Sequence, residues 1–123
     1  MEFDQGAPIW RQLLDGFQRR IVAGVWAPGS QVPSVRDLAA EFAVNPNTVQ
    51  KALAELERAG LAETQRGLGR FVTGDLDAIR RLGEELAEAA TKEFVSTMKT
   101  LGINQAQAGD LLKRNWKEGE TND

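Results

Sequence analysis

Two short amphipathic helices joined by only a few residues constrain this chain more than any other feature. Ser34 and Asp37 form a capping box that begins one helix, and the apolar pattern of that helix stops near Ala43-Val44. Asn45 is a good N-cap, and Pro46 suits the first position of the next helix, where its missing N–H costs nothing. A connection this short predicts a helix-turn-helix.

The second of these helices has two distinct faces and is followed by a hairpin. Its apolar residues recur with helical spacing until Gly60 ends the pattern, and they are Val49, Ala52, Leu53 and Leu56. Residues 61–65 and 70–73 are short β-type segments on either side of a loop that contains Gly67 and Gly69. This hairpin is in the position of a wing.

Helical periodicity also covers most of the remaining chain. An i, i+4 ladder of apolar residues predicts a first helix over residues 9–24, and a similar pattern predicts a long helix from residue 76 to Leu101, broken at Gly102. Asn104 and Gln107 can cap a last helix. We therefore expect a mainly α fold with a small β hairpin. A winged helix-turn-helix domain over residues 1–74 precedes a C-terminal helical dimerisation segment over residues 75–123.

The residue types that are missing exclude most enzyme classes. The 123 residues include no cysteine, no histidine and no tyrosine. Thiolate nucleophiles, Cys/His zinc sites and an imidazole general base are therefore unavailable, and the carboxylates form no pair on an identifiable cleft. We expect no catalytic activity, no cofactor and no metal site.

The sequence predicts a cytoplasmic protein without a membrane partner. It has no run of 18 apolar residues, and its first residues are acidic where a signal peptide would be basic. The net charge is −3, but residues 1–74 carry eight basic and eight acidic residues, so the acidic excess lies entirely in residues 75–123. Nucleic-acid binding depends on the local electrostatic field of the protein surface rather than on the net charge.

The exposed face of the second helix of the pair has the composition that reading a major groove requires. On a helical projection, Asn47, Lys51 and Ala54 lie opposite the apolar stripe, with Gln50 beside them. Two amides and an ammonium therefore lie in the first two turns, the half of a recognition helix that meets base edges. Nearby, Arg36 beside the Ser34 cap suits a backbone phosphate.

The hairpin loop carries a second group of candidate contacts. Arg66 and Arg70 bracket Gly67 and Gly69, so a cation can reach a minor groove where the glycines let the backbone come close. Each signal has an ordinary structural explanation as well: a surface arginine is commonly only solvated, Asn45 is equally a helix cap, and glycines occur in any tight hairpin. The prediction of DNA binding rests on the occurrence of all these signals together and in this order.

Six motifs within residues 8–73 together resemble the winged-helix domain of the GntR family of bacterial transcription regulators. They are Pro8-Ile9-Trp10, Gly24-x-Trp26-x-Pro28-Gly29, residues 32–39, residues 44–52, Leu56-Glu57-x-x-Gly60 and Gly67-x-Gly69-x-Phe71-Val72. The segment Asn45-Pro46-Asn47-Thr48-Val49, with a short helical tail, resembles the small YtrA-like branch. By position, the resemblance implies DNA contacts from Ser34, Arg36, Asn47, Thr48, Gln50, Lys51, Arg66, Gly67 and Gly69. Pro46 and Gln50 stand where relatives often have arginines, which favours amide-to-adenine contacts over guanine readout.

The C-terminal segment presents apolar side chains that two helices cannot bury by themselves. They either fold back on the first helix or pack against the same helices of a second chain, and the resemblance favours the second alternative. The residues assigned to a homodimer interface are Ile79, Leu82, Leu86, Phe94, Met98, Leu101, Leu112 and Trp116.

These patterns predict a sequence-specific regulator that binds double-stranded DNA, a repressor acting on an inverted-repeat operator as a homodimer. The alternative is a winged helix used for protein–protein contact, which the neutral balance of residues 1–74 leaves open. A small-molecule effector in a cleft near Trp10, Trp26 or Trp116 also stays open, as does the absence of any effector.

Overall fold

The computed structural model describes residues 3–121 and is mainly helical with one small hairpin. Its helices are α1 (Ile9–Val22), α2 (Val35–Phe42), α3 (Pro46–Arg58), α4 (Leu76–Thr100) and α5 (Gln105–Thr121), and its strands are β1 (Ala62–Gln65) and β2 (Gly69–Val72). The order α1-α2-α3-β1-β2 is that of a winged helix-turn-helix, so the predicted fold class is confirmed.

Side-chain caps begin α2 and α3 at the predicted residues. The Asp37 N–H donates to Ser34 Oγ at 3.0 Å, and the Asn47 N–H donates to Asn45 Oδ1 at 2.7 Å. Each bond satisfies a backbone donor that has no partner within its helix. At the start of α5, the side chains of Asn104 and Gln107 each accept the other residue's backbone N–H, at 2.9 and 3.0 Å.

The turn between α2 and α3 depends on an alanine in the left-handed conformation. Ala43 has φ 54° and ψ 48°, and the Val44 N–H bonds back to the Ala39 carbonyl at 3.1 Å. Glycine is the usual residue at such a position because a Cβ makes this backbone conformation costly. The sequence pattern places the turn correctly but gives no sign of this strain.

One apolar core joins the first three helices. Leu13 and Phe17 of α1 have no exposed surface, nor do Val49 and Leu53 of α3. Trp26 covers this core from the connection after α1, with its ring centroid 5.1 Å from that of Phe17. The buried stripe of α3 therefore fixes which of its faces points to solvent.

The hairpin is braced by the segment that precedes α2. Strands β1 and β2 are antiparallel, with Ala62 opposite Val72 and Gln65 opposite Gly69. Gln31 forms a bridge with Phe71, and its side-chain Nε2 donates to the Leu68 carbonyl at 2.9 Å. The tip of the hairpin is thus held by a hydrogen bond from outside the two strands.

The chain divides into two compact units, and the division falls inside α4, between Glu84 and Glu85. The first two turns of α4 belong to the unit that contains the helix-turn-helix. There Leu82 is 7% exposed, and a Cβ added to Gly83 would lie 3.2 Å from Val22 Cγ1, so Gly83 permits close packing against α1. This division concerns compactness, and the functional boundary expected at residue 74 stays a prediction.

Candidate nucleic-acid interface

The face of α3 opposite the core is open to solvent over its whole length. Val49, Ala52, Leu53 and Leu56 have no exposed surface, which orients the helix. The side chains on the opposite face are all exposed, and they are Asn47, Gln50, Lys51, Ala54 and Arg58. A helix whose N-terminal half presents two amides, an ammonium and a small residue can enter a major groove and reach base edges. We call α3 the recognition helix.

Ion pairing separates the basic residues of the first unit into two groups. Between residues 3 and 74, four arginines have carboxylate partners: Arg19, Arg20, Arg58 and Arg70. The other four basic residues of this range form no ion pair among the described residues: Arg11, Arg36, Lys51 and Arg66. The second group leaves four exposed cations without a direct ion pair among the described residues, although the unit as a whole is close to neutral.

Arg70 is assigned to DNA by the sequence but is engaged inside the unit. Its Nε donates to Glu57 Oε1 at 3.1 Å, and its side chain is only 16% exposed. Thr64 donates a hydrogen bond to the same carboxylate oxygen. Burial raises the pKa of Glu57, but the hydrogen bonds from Thr64 and Arg70 and the charge of Arg70 lower it by more, so its net pKa is below the ordinary value. Arg70 therefore ties the hairpin to the recognition helix.

The hairpin tip leaves Arg66 as its accessible cation. Gly67 and Gly69 have φ of 80° and 118°, conformations that L side chains rarely adopt. A Cβ added to Gly69 would lie 2.5 Å from Gln31 Nε2. These glycines thus have a backbone role in the loop that carries Arg66 and, between them, the exposed Leu68.

Ser34 and Asn45 have a structural role that does not remove them from the surface. Both side chains are exposed and each accepts one backbone N–H as a helix cap. The Ser34 hydroxyl keeps its proton for a further acceptor. Arg36 is exposed in the first turn of α2, next to this cap, and Thr48 is half-buried on the recognition helix.

Sequence reasoning missed the residues of α1 that flank the recognition helix. The Lys51 Nζ lies 4.8 Å from the ring centroid of Trp10, and the Arg11 guanidinium carbon lies 5.3 Å from the same centroid. Periodicity assigns only the buried ladder of α1, and it gives no indication that an indole from this helix reaches Lys51. From the sequence, Trp10 is assigned only to a family motif and to the neighbourhood of a possible effector cleft, and neither indicates a contact with Lys51.

Most of the residues assigned to a dimer surface reach solvent within one chain. Leu101, Leu112 and Trp116 are 63%, 50% and 66% exposed. Leu82 differs, because it is buried in the first unit and is therefore a core residue of a single chain. The remaining four are half-buried: Ile79, Leu86, Phe94 and Met98. In the second unit, α4 and α5 also border a groove of about 440 Å³, lined by apolar side chains that include Phe94, Met98 and Leu112.

Comparison with known proteins decides the family. The model of the bacterial regulatory proteins of the gntR family matches residues 11–72, which is half of the chain and contains the whole helix-turn-helix and hairpin. The chain belongs to the GntR family.

Two relatives and one solved structure extend the family match over most of this GntR-family chain. The HTH-type transcriptional regulator YhcF of Bacillus subtilis is 36% identical over 112 residues, which are 91% of this chain and 93% of YhcF. The HTH-type transcriptional repressor YtrA of the same organism is 44% identical over 107 residues, 87% of this chain and 78% of YtrA. A GntR family transcriptional regulator from Listeria monocytogenes superimposes with a TM-score of 0.84 at 38% identity, covering 91% of this chain and 98% of that one.

Family membership shows what class of protein contains this recognition helix. GntR proteins are DNA-binding transcription regulators and not enzymes, so this chain is a DNA-binding regulator. Among the described residues, no cluster of three or more acidic side chains could hold a metal ion, and none of the helices combines the length and the hydropathy of a membrane span.

Proposed function

We propose that this chain is a homodimeric repressor that binds an inverted-repeat operator, with one recognition helix in the major groove of each half-site. The observation that carries the proposal is the exposed face of α3, where Lys51 lies beside two amides and has no ion-pair partner among the described residues. Such a face offers hydrogen bonds to base edges without an ion pair that must first be broken.

The residues divide into those that read bases and those that hold the backbone. Asn47 and Gln50 can each make a paired hydrogen bond to adenine, and Lys51 can donate to guanine acceptors. Arg36, beside the N-terminus of α2, suits a phosphate, as does Arg66 at the hairpin tip. Glu57 and Arg70 keep the hairpin at a fixed place relative to the recognition helix.

The exposed apolar side chains of the second unit support a two-fold dimer. Fully burying a large apolar side chain contributes about 1.5–3 kcal/mol relative to leaving it exposed. A second chain that covers Leu101, Leu112 and Trp116 would therefore make dimerisation favourable. Linking two half-site contacts also raises DNA affinity without any new contact. Repression is inferred from the relative YtrA, which is named a repressor.

Fluorescence anisotropy with two DNA duplexes tests the DNA part of the proposal. One duplex is taken from upstream of the gene for this chain and the other is a scrambled duplex of equal length, and both are titrated across a salt series. We expect preference for the upstream duplex and an affinity that falls steeply with salt, because phosphate contacts release counterions. Equal, weak binding to both duplexes would contradict an operator at that place.

A matched pair of glutamine variants separates base reading from general binding. Gln50→Ala removes an amide from the recognition helix and is expected to reduce preference for the upstream duplex about tenfold, since a paired base contact is worth ~1–3 kcal/mol. Gln18→Ala removes the same group from the half-exposed middle of α1 and should leave the preference unchanged. A reporter assay, in which the upstream region controls transcription of a reporter gene, then shows whether this chain represses or activates transcription.

A further inference from the structure

The start of α1 brings two cations to one aromatic ring beside the recognition helix. Trp10 is half-buried, with Lys51 Nζ at 4.8 Å and the Arg11 guanidinium carbon at 5.3 Å from its ring centroid. Both distances are within the range in which a cation is attracted to an aromatic face. Lys51 comes from α3 and Arg11 from α1, so Trp10 joins the two helices at an exposed cationic patch.

Neither of the two cations, Lys51 and Arg11, is held in a direct ion pair within the part of the chain that the structure describes. Since both lie close to one ring, they are separated by no more than about one Debye length, ~10 Å at 0.1 M salt, and they repel each other. An anion placed between or beside them would relieve this repulsion, and a DNA phosphate supplies one.

The indole ring of Trp10 also restricts the rotamers of the Lys51 side chain. A lysine at a solvent-exposed position samples many rotamers, and fixing it on binding costs conformational entropy. Contact with Trp10 keeps the Lys51 ammonium near the N-terminal half of the recognition helix before DNA arrives. The cost of ordering Lys51 is thereby reduced at the moment of binding.

We propose that the DNA-binding surface extends from α3 onto the start of α1, where Trp10 is a positioning residue for Lys51 and Arg11 contacts a phosphate. The proposal rests on the proposed function, because it needs the recognition helix to lie against DNA. It adds two residues outside the helix-turn-helix to the interface, and it makes Lys51 dependent on an aromatic side chain of a different helix.

A double-mutant cycle on full-length protein tests the role of Trp10. Lys51→Ala is expected to weaken binding to the upstream duplex about tenfold in the native protein, but only about threefold when Trp10 is already leucine. Trp10→Phe keeps an aromatic face and should bind within about threefold of the native protein. A merely structural Trp10 would leave the Lys51→Ala loss equal in both backgrounds, and that result would overturn the positioning role.

Thermal unfolding measurements show whether each Trp10 variant is folded at the temperature of the binding assay. If Trp10→Leu melts below the assay temperature, Trp10→Met takes its place, because methionine fills an apolar site without an aromatic face, and the Lys51→Ala loss should again fall to about threefold. An unchanged loss in that folded background would again overturn the positioning role.

The Arg11 contact is tested with a random-sequence duplex, so that it does not depend on an operator. Arg11→Gln should lower the slope of log affinity against log salt by about 0.9, the value of one released phosphate contact. Arg19→Gln is the matched control, because Arg19 is exposed on the same helix but pairs with Asp15 at 2.8 Å. Equal slopes for the native protein and Arg11→Gln would overturn the contact.

The two proposals fail in distinguishable ways. Absence of any preference for the upstream duplex contradicts the proposed operator, while the random-sequence slopes still decide whether Arg11 touches DNA. Conversely, specific binding with unchanged slopes and no coupling between Trp10 and Lys51 keeps the repressor proposal and removes α1 from the interface.

Discussion

The Nε of Arg70 donates a hydrogen bond to Oε1 of Glu57 at 3.1 Å, which links the second strand of the hairpin to the recognition helix. Thr64, on the first strand, donates to the same oxygen. One carboxylate therefore holds both strands against α3. The recognition helix and the hairpin tip would contact neighbouring grooves of the DNA. This hydrogen bond would then fix the distance between these two parts of the protein's DNA-binding surface.

Removing the charge of Glu57 should destabilise the first unit. Glu57→Gln weakens two hydrogen bonds and leaves the largely buried Arg70 cation without a counter-charge, so we expect a loss of about 1 kcal/mol in the free energy of unfolding. Urea denaturation at pH 7 measures it. Glu63→Gln on β1 is the control, because the exposed Glu63 side chain forms no hydrogen bond or ion pair among the described residues. Equal stability of the two variants would show that the Glu57 contacts contribute nothing.

Acid should destabilise the protein partly through Glu41 and Glu57. The hydrogen bond from Arg20 lowers the pKa of Glu41, and the pKa of Glu57 is lowered as described above. Because their pKa values are below the ordinary 4.5 only in the folded state, the stability they provide is present above pH 4.5 and is lost as pH falls through the folded values. Unfolding measured from pH 6 to pH 3 should show a smaller decline for the double variant Glu41→Gln/Glu57→Gln. An identical decline would contradict the lowered values.

The sequence predicts those features that depend on periodicity and local capping. The apolar spacing of α3 gives its buried face, and Ser34 and Asn45 give the helix starts, because each of these is determined by residues only a few positions apart. Arg70 and Lys51 show where such reasoning stops. Their partners, Glu57 and Trp10, are 13 and 41 residues away, and only the packing of the whole unit brings them together.

Ala43 offers a position where glycine should stabilise the protein. Its left-handed backbone, with φ 54°, costs alanine about 1–2 kcal/mol, which is more than the ~0.4–1 kcal/mol that glycine loses through its freer unfolded state. We therefore expect Ala43→Gly to raise the free energy of unfolding by about 0.5 kcal/mol. The same substitution at the exposed Ala40, inside α2, should lower it by about 0.5–1 kcal/mol. Effects of equal sign at both positions would contradict strain at Ala43.

Arg36 is expected to bind phosphate without reading sequence. Arg36→Ala should weaken binding to the upstream and scrambled duplexes by the same factor and lower the salt slope by about 0.9, the effect of losing one phosphate contact. The salt-series titration described above measures both quantities. A change in the ratio of the two affinities would instead assign Arg36 to base contacts, and unchanged binding would remove it from the interface.

The dimer surface is tested most directly by placing a charge on the exposed part of α5. Trp116 is 66% exposed in a single chain, so a glutamate there costs little in the monomer but would bury an unpaired carboxylate in an interface. We expect Trp116→Glu to sediment as a monomer and to lose most of its avidity for a two-half-site duplex, while its affinity for a single half-site is unchanged. Val25→Glu is the control, since Val25 is 70% exposed but belongs to the first unit, and it should sediment like the native protein. A Trp116→Glu variant that remains dimeric would exclude this part of α5 from the interface.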